Sequence, residues 1–305
     1  MKILIIFTGG TIGSTVTDEY ISPDGNKPYI ILEKYNELYP GDIKWETISP
    51  YTILSENVTL DIYQKLAASV KEGLKKDYDG IIITHGSDTL QYSAAFLALI
   101  LGNNTIPVLL VSSNYVLEDS RANGMDNFVA AVDFIQNKRG KGVYVPYKNA
   151  GENVKIHRGE DLMPHSLYSD YLSSIDNRCY GEYGAEGFEQ KGDMVDEQQP
   201  IPEPDYSMAD TGICVIHACP GLVYPKLQEG MKAVLIHAYH GGTICVIDKA
   251  LEEFMNSADE LHIPVYLVGV NPETEYESCK EYEELGIKML GHISPIYAYM
   301  KLWVG

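Results

Sequence analysis

The chain has 305 residues, 45% of them hydrophobic and 22% charged, a balance that suits one large soluble domain or two modest ones. No segment is apolar over the length a membrane helix needs. A formal net charge of −20 without any basic patch argues against nucleic acid or an anionic membrane as partner, which leaves small-molecule chemistry as the default.

Residues 3–7 form a continuous apolar run closed by Gly9 and Gly10, the signature of a buried strand in a parallel sheet. The run is too short for a signal-peptide core, so export is not expected. A helix is predicted over residues 60–75, a strand over 80–84 ending at His85-Gly86, and a helix over 89–101. Further strands are predicted over 106–111, ending at Ser112-Ser113, and over 141–145, ending at Pro146. This alternation predicts an α/β fold with an open parallel sheet of the Rossmann-like or flavodoxin-like kind, whose ligand crevice lies at the carboxyl ends of the strands.

From residue 177 to 210 glycine, proline and acids dominate, and Gln198-Gln199-Pro200-Ile201-Pro202-Glu203-Pro204 resists both helix and central strand. Strands resume at 212–217, 233–238 and 264–268, with a helix over 249–257. The expected organisation is an N-terminal catalytic domain over 1–190, a linker over 191–211 and a smaller C-terminal α/β domain over 212–305. Five cysteines, odd in number and without a CxxC pair, fit a reducing cytoplasm. His157, His217, His237 and His240 show no metal-ligand spacing, so neither metal nor cofactor is expected.

Two loops carry chemistry. Thr8-Gly9-Gly10-Thr11-Ile12-Gly13 puts hydroxyls on a backbone that glycine allows to turn tightly and approach a ligand. Its spacing does not match the Gly-x-Gly-x-x-Gly dinucleotide fingerprint. A threonine hydroxyl such as that of Thr11 becomes a nucleophile only when a base takes its proton. The second loop, Thr84-His85-Gly86-Ser87-Asp88-Thr89, follows a buried strand and opens a helix, where backbone N–H groups can hold a water or an oxyanion. Its plainer reading is helix capping by Ser87 or Asp88.

Taken together, TGGTIG and HGSDTL some 75 residues later resemble the two signatures of bacterial-type L-asparaginases. Glu19-Tyr20-Ile21-Ser22-Pro23 is similar to the family's mobile lid, and Leu54-Ser55-Glu56-Asn57-Val58-Thr59 to its carboxylate-holding loop. Ser112-Ser113-Asn114, Ser120-Arg121-Ala122-Asn123-Gly124 and Cys219-Pro220-Gly221 extend the likeness over most of the chain.

The resemblance implies that Thr11 attacks the side-chain amide carbon of L-asparagine, with Tyr20 beside it. Ser87 and Asp88 form the second catalytic group, and Gly10, Ser55, Glu56 and Gly86 join them in holding substrate. It further implies a homodimer or homotetramer, with an acid of a neighbouring subunit, Glu273 or Glu275, completing the site. Glutamine, one methylene longer, is the alternative substrate.

Two departures stand out. Ser87 replaces the family's threonine, keeping the hydroxyl but losing the β-branch. The lysine expected to activate that hydroxyl falls nearest Arg158 or Gly159, and Lys155 lies three or four positions early. Arginine stays protonated and cannot serve as a base. With Lys155 as base the chain is an enzyme, and without one it is a binding or sensing protein. The amidotransferase component that feeds ammonia to a tRNA-bound glutamate is a third reading, disfavoured by the acidic charge.

Overall fold

The computed structural model describes residues 1–10, 12, 14–17, 20–23, 29–102, 104–192, 201, 204, 212–270 and 276–305; in 14–17 and 20–23 only the backbone is described. Two compact units divide the chain, Met1–Pro202 and Glu203–Gly305. Most of the predicted linker lies outside the described residues.

The first unit contains the strands β1 (Lys2–Phe7), β2 (Ser14–Thr17), β3 (Tyr20–Pro23), β4 (Lys44–Ile48), β5 (Gly80–Thr84), β6 (Pro107–Val111), β7 (Gly142–Lys148), β8 (Val154–Arg158), β9 (Gly181–Gly184) and β10 (Gly187–Gln190). Its helices are α1 (Ile30–Leu38), α2 (Leu60–Leu74), α3 (Leu90–Leu101) and α4 (Gly124–Gln136). The main sheet runs β10-β9-β8-β7-β6-β5-β1-β4, and β2 pairs with β3 as a separate hairpin.

Strands β4, β1, β5, β6 and β7 are mutually parallel. β5 and β6 are buried at every position because helices cover both faces. On one face Gly73 of α2 lies against Leu4 and Ile81, and Tyr63 of α2 meets Phe96 of α3 with ring centroids 4.8 Å apart. On the other face Tyr35 of α1 and Phe128 of α4 pack edge to face, while Ile135 of α4 fills the space above Gly80.

The expected open α/β sheet is therefore present, but it is not wholly parallel: β8, β9 and β10 extend it in antiparallel fashion. Nor does β7 end at Pro146. That proline sits within the strand, opposite Ile156 of β8. The β6 partner reaches only Tyr144, so from Val145 onward one side of β7 makes no ladder with β6, and a residue without an N–H is tolerated there.

The second unit has a parallel sheet in the order β11 (Ile213–His217), β12 (Ala233–His237), β13 (Val265–Val268) and β14 (Lys288–Met289). Helix α5 (Lys249–Glu260) buries Leu251, Phe254, Met255 and Ala258, the spacing of one helical face, and its N-cap Asp248 accepts a bond from the Ala250 N–H. Tyr282 of α6 (Ser278–Glu284) joins that core, while Ala298 of α7 (Pro295–Trp303) packs on Leu235 and Val268. No described helix is long and apolar enough to span a membrane.

Candidate active site

Both glycine loops leave the carboxyl ends of neighbouring parallel strands, β1 and β5, and main-chain bonds lock the first of them against a third segment. The Ile53 N–H donates to the Thr8 carbonyl at 3.1 Å, and the Gly10 N–H returns to the Ile53 carbonyl at 3.2 Å. The Thr8 hydroxyl reaches across to the Thr84 carbonyl at 2.6 Å. Gly9 and Gly10 have φ of +100° and +80°, a region where a side chain is strained. A Cβ on Gly10 would also lie 2.5 Å from the Gly86 Cα and nearer still to its nitrogen, so the two loops touch backbone to backbone.

Gly86 is in turn covered by Ser55. A Cβ there would stand 2.5 Å from the Ser55 hydroxyl oxygen, which places that buried hydroxyl over the second loop. The Thr89 hydroxyl donates to the Ser55 carbonyl at 2.9 Å and fixes the approach. Gly10, Ser55 and Gly86 thus form one floor. Ser87 beside it is half-buried, and Asp88 and Glu56 are exposed.

Capping does not account for the second loop. Thr89 occupies the N-cap of α3 and makes no side-chain cap bond, so neither Ser87 nor Asp88 serves the helix in that way. Thr11 lies outside the described residues, as do Glu273 and Glu275, and of Tyr20 only its place in β3 opposite Thr17 is described.

Lys155 stands apart from that floor. It lies on β8, three strands from β5, a lateral distance of about 14 Å at the usual strand spacing. Its ammonium pairs with Glu152 at 2.7 Å, and that hydrogen bond raises its pKa, which opposes service as a neutral base. Arg158, at the far end of β8, stacks over Tyr180.

The structure adds supports that the motifs alone do not reveal. His85 is fully buried and its pKa is lowered by desolvation, so the ring is neutral. Nδ1 lies 2.8 Å from the Gly86 carbonyl, which can only accept, so Nδ1 carries the proton and Nε2 accepts from the Ser93 hydroxyl at 2.8 Å. In the sequence LQYSAAFLALIL the signal for this partner is Ser93, a polar residue on the buried side of a mostly apolar helix that also buries Gln91. Beyond β6, Asn114 and Asn123 each donate a backbone N–H to the other's side chain at 3.0 Å, and Asn127 joins the Ser112 carbonyl to the Lys148 N–H. These asparagines hold the edge next to the floor rigid. Among the described residues no group of three or more His, Cys, Asp or Glu side chains could hold a metal ion.

A doubly covered α/β unit whose hydroxyl-bearing glycine loops meet at the carboxyl edge of its sheet defines the class, an amide-hydrolase scaffold with an anchored floor. The model of the family described as "Asparaginase, N-terminal" matches residues 2–186, and the chain belongs to the asparaginase family of amidohydrolases. It is 32% identical over 190 residues to a glutamyl-tRNA(Gln) amidotransferase subunit from Methanosarcina barkeri, covering 59% of this chain and 43% of that one. With the corresponding amidotransferase chain from Halobacterium salinarum it shares 33% identity over 256 residues, 81% of this chain and 58% of the other. The chain therefore spans only about half the length of these relatives. Among solved structures, the thermostable L-asparaginase from Thermococcus kodakarensis superposes with a TM-score of 0.79 at 23% identity, over 99% of this chain and 92% of that one. A probable cytoplasmic L-asparaginase from Campylobacter jejuni gives a TM-score of 0.74 at 22% identity, over 99% and 94% of the two chains. At these identities the two likenesses concern the fold.

Proposed function

We propose that the protein is a cytoplasmic L-asparaginase that hydrolyses the side-chain amide of L-asparagine to L-aspartate and ammonia, acting as a homodimer or homotetramer. The observation that carries this reading is the contact of Gly10 with Gly86 beneath the Ser55 hydroxyl, which brings the two chemistry-bearing loops to a single point. Thr11 follows Gly10 directly, and its hydroxyl oxygen forms the bond to the amide carbon while ammonia leaves. Water then cleaves the resulting ester and restores the threonine. Backbone N–H groups where the second loop enters α3 stabilise the oxyanion, since the first turn of a helix has no internal acceptors for them. Ser55 holds the substrate carboxylate, and the exposed carboxylate of Asp88 meets its ammonium.

The placement of Lys155 favours a second reading, a binding protein with the family fold and an incompetent nucleophile. The names of the relatives point to glutamine as the rival amide. All three are separated by measuring ammonia release from L-asparagine and L-glutamine, with a D-isomer control, for the wild type and Thr11→Ala. Release from asparagine that falls at least about a thousandfold in Thr11→Ala supports the hydrolase. A higher kcat/KM for glutamine moves the reading to a glutaminase, and binding without release leaves the sensor.

A further inference from the structure

Two histidines that show no metal-ligand spacing along the chain are brought together by the sheet of the second unit. His217 ends β11 and His237 ends β12, and the parallel register sets them directly opposite each other. Side chains alternate between the faces of a strand, so His237 shares the face of Leu235, which α7 covers, while Ile216 and Ile236 enter the core beneath α5. On its other side His237 stands opposite the buried, apolar Val268 of β13. His217 lies on the edge strand and is exposed, and His237 is half-buried between it and that valine.

The two rings are 4.4 Å apart centre to centre, with their planes inclined by 60°. An ion bound at about 2.1 Å by one nitrogen of each ring, with about 90 to 109° between the bonds, holds the ring centres about 4.6 to 5.3 Å apart. The observed separation lies within a few tenths of an ångström of the lower value, a difference that small side-chain rotations supply. Among the described residues neither ring has a hydrogen-bonding partner, so their nitrogens are not committed elsewhere. Burial, and then the neighbouring His217, lower the His237 pKa to about 4, so that ring is neutral and keeps a lone pair near neutral pH. The net charge of −20 adds a field that attracts cations.

We propose that His217 and His237 form a two-imidazole chelate for a divalent transition-metal ion of the nickel, copper or zinc type, with water in the remaining positions. Imidazole suits these ions, whereas calcium and magnesium require oxygen ligands. Gly10, Ser55 and Gly86 belong to the first unit and both histidines to the second, and metal binding here does not depend on amide hydrolysis.

Isothermal titration calorimetry of the full chain with nickel chloride, near neutral pH in a buffer that does not coordinate nickel, measures the site. A single exposed imidazole holds nickel with a dissociation constant on the order of 1 mM, and a second ring fixed beside it raises the affinity about a hundredfold through its effective concentration. The wild type is therefore expected to bind one nickel ion with a dissociation constant on the order of 10 µM. His217→Asn, at an exposed edge position, and His237→Asn are each expected to raise that constant about a hundredfold with unchanged circular dichroism. His262→Asn, on an exposed turn where a φ of +55° suits asparagine, is expected to leave it unchanged. Absence of a nickel site tighter than about 1 mM, or a wild-type constant in either His217→Asn or His237→Asn, would overturn the proposal and leave the rings as a packed pair at the edge of the sheet.

Discussion

The parallel and antiparallel parts of the eight-stranded sheet use the same backbone geometry for opposite ends. In the parallel part, strands such as GIIIT are buried throughout, and their carboxyl ends run into buried backbone brought into close contact through glycine. In the antiparallel part, VKIHR alternates, with Val154 and Ile156 in the core and Lys155 outward among other charges. The first arrangement fixes positions to a fraction of an ångström and tolerates almost no added atom. The second is held by ion pairs that are partly exposed, each of which is worth about 1 kcal/mol or less. A site that must hold a nucleophile against an amide belongs on the first.

The largest expected effect comes from breaking that close contact. Gly10→Ala combines a positive φ with a clash against the backbone of Gly86, and backbone cannot rotate out of the way as a side chain can. The variant is expected to lose about 3 kcal/mol or more of stability in denaturant unfolding and to lose ammonia release with it. A variant with wild-type stability and activity would show that the two loops do not touch.

The same contrast explains what the sequence made legible. Continuous apolar runs and glycine punctuation marked β1, β5, β6 and α3 because burial on all sides leaves a strong local signal, and α2 was marked by the helical spacing of its single buried face, Tyr63, Leu66, Ala67 and Val70. The extension was not read, since GEYG and GFEQ are short, half-polar and rich in glycine, and only pairing with β8 makes them strands. The meeting of Gly10, Ser55 and Gly86 was legible only through family likeness. Segments about 30 and 45 residues apart in the chain are joined by sheet topology, which periodicity does not report. His85 was named in the motif, but the bond pattern that fixes its tautomer depends on Ser93, a full helical turn into α3.

A second expected effect belongs to the partly buried turn after β8. Burial, and then the neighbouring Asp161, push the Glu160 carboxyl up from 4.5 to about 7. A raised folded pKa means that the stability from the neutral carboxyl is fully present below pH 4.5 and is lost as pH rises through 7. Glu160→Gln keeps the neutral form at every pH, so it is expected to stabilise by about 2 kcal/mol at pH 8.5 relative to its effect at pH 4.5. His157 titrates in the opposite sense. Burial lowers it to about 4, so its contribution is present above its ordinary value of 6.5 and lost as pH falls through 4. Chemical unfolding of wild type and Glu160→Gln at both pH values checks this, and equal effects would show that Glu160 is solvated.

Smaller again is the effect expected at the floor. Ser55→Ala removes a hydroxyl but leaves the 3-10 turn Ser55–Asn57 and the Thr89 bond to the residue 55 carbonyl intact. If that hydroxyl holds the substrate carboxylate, KM for asparagine rises about tenfold, the worth of one charge-assisted hydrogen bond, with kcat changed far less. A fall confined to kcat would instead put Ser55 in the chemical step.

The smallest expected effect tests the contrast between the two regions most directly. Lys155→Met keeps the aliphatic stem against β9 and removes only an ammonium already engaged by Glu152. Exposed ion pairs contribute little, and the lysine stands about 14 Å along the sheet from the second loop, so less than about 1 kcal/mol of stability and less than about twofold in kcat are expected to change. Steady-state kinetics beside the thermal midpoint measure both. A thousandfold loss of kcat at unchanged stability would mean that Lys155 reaches Ser87 when substrate binds, and the antiparallel extension would then belong to the catalytic machinery.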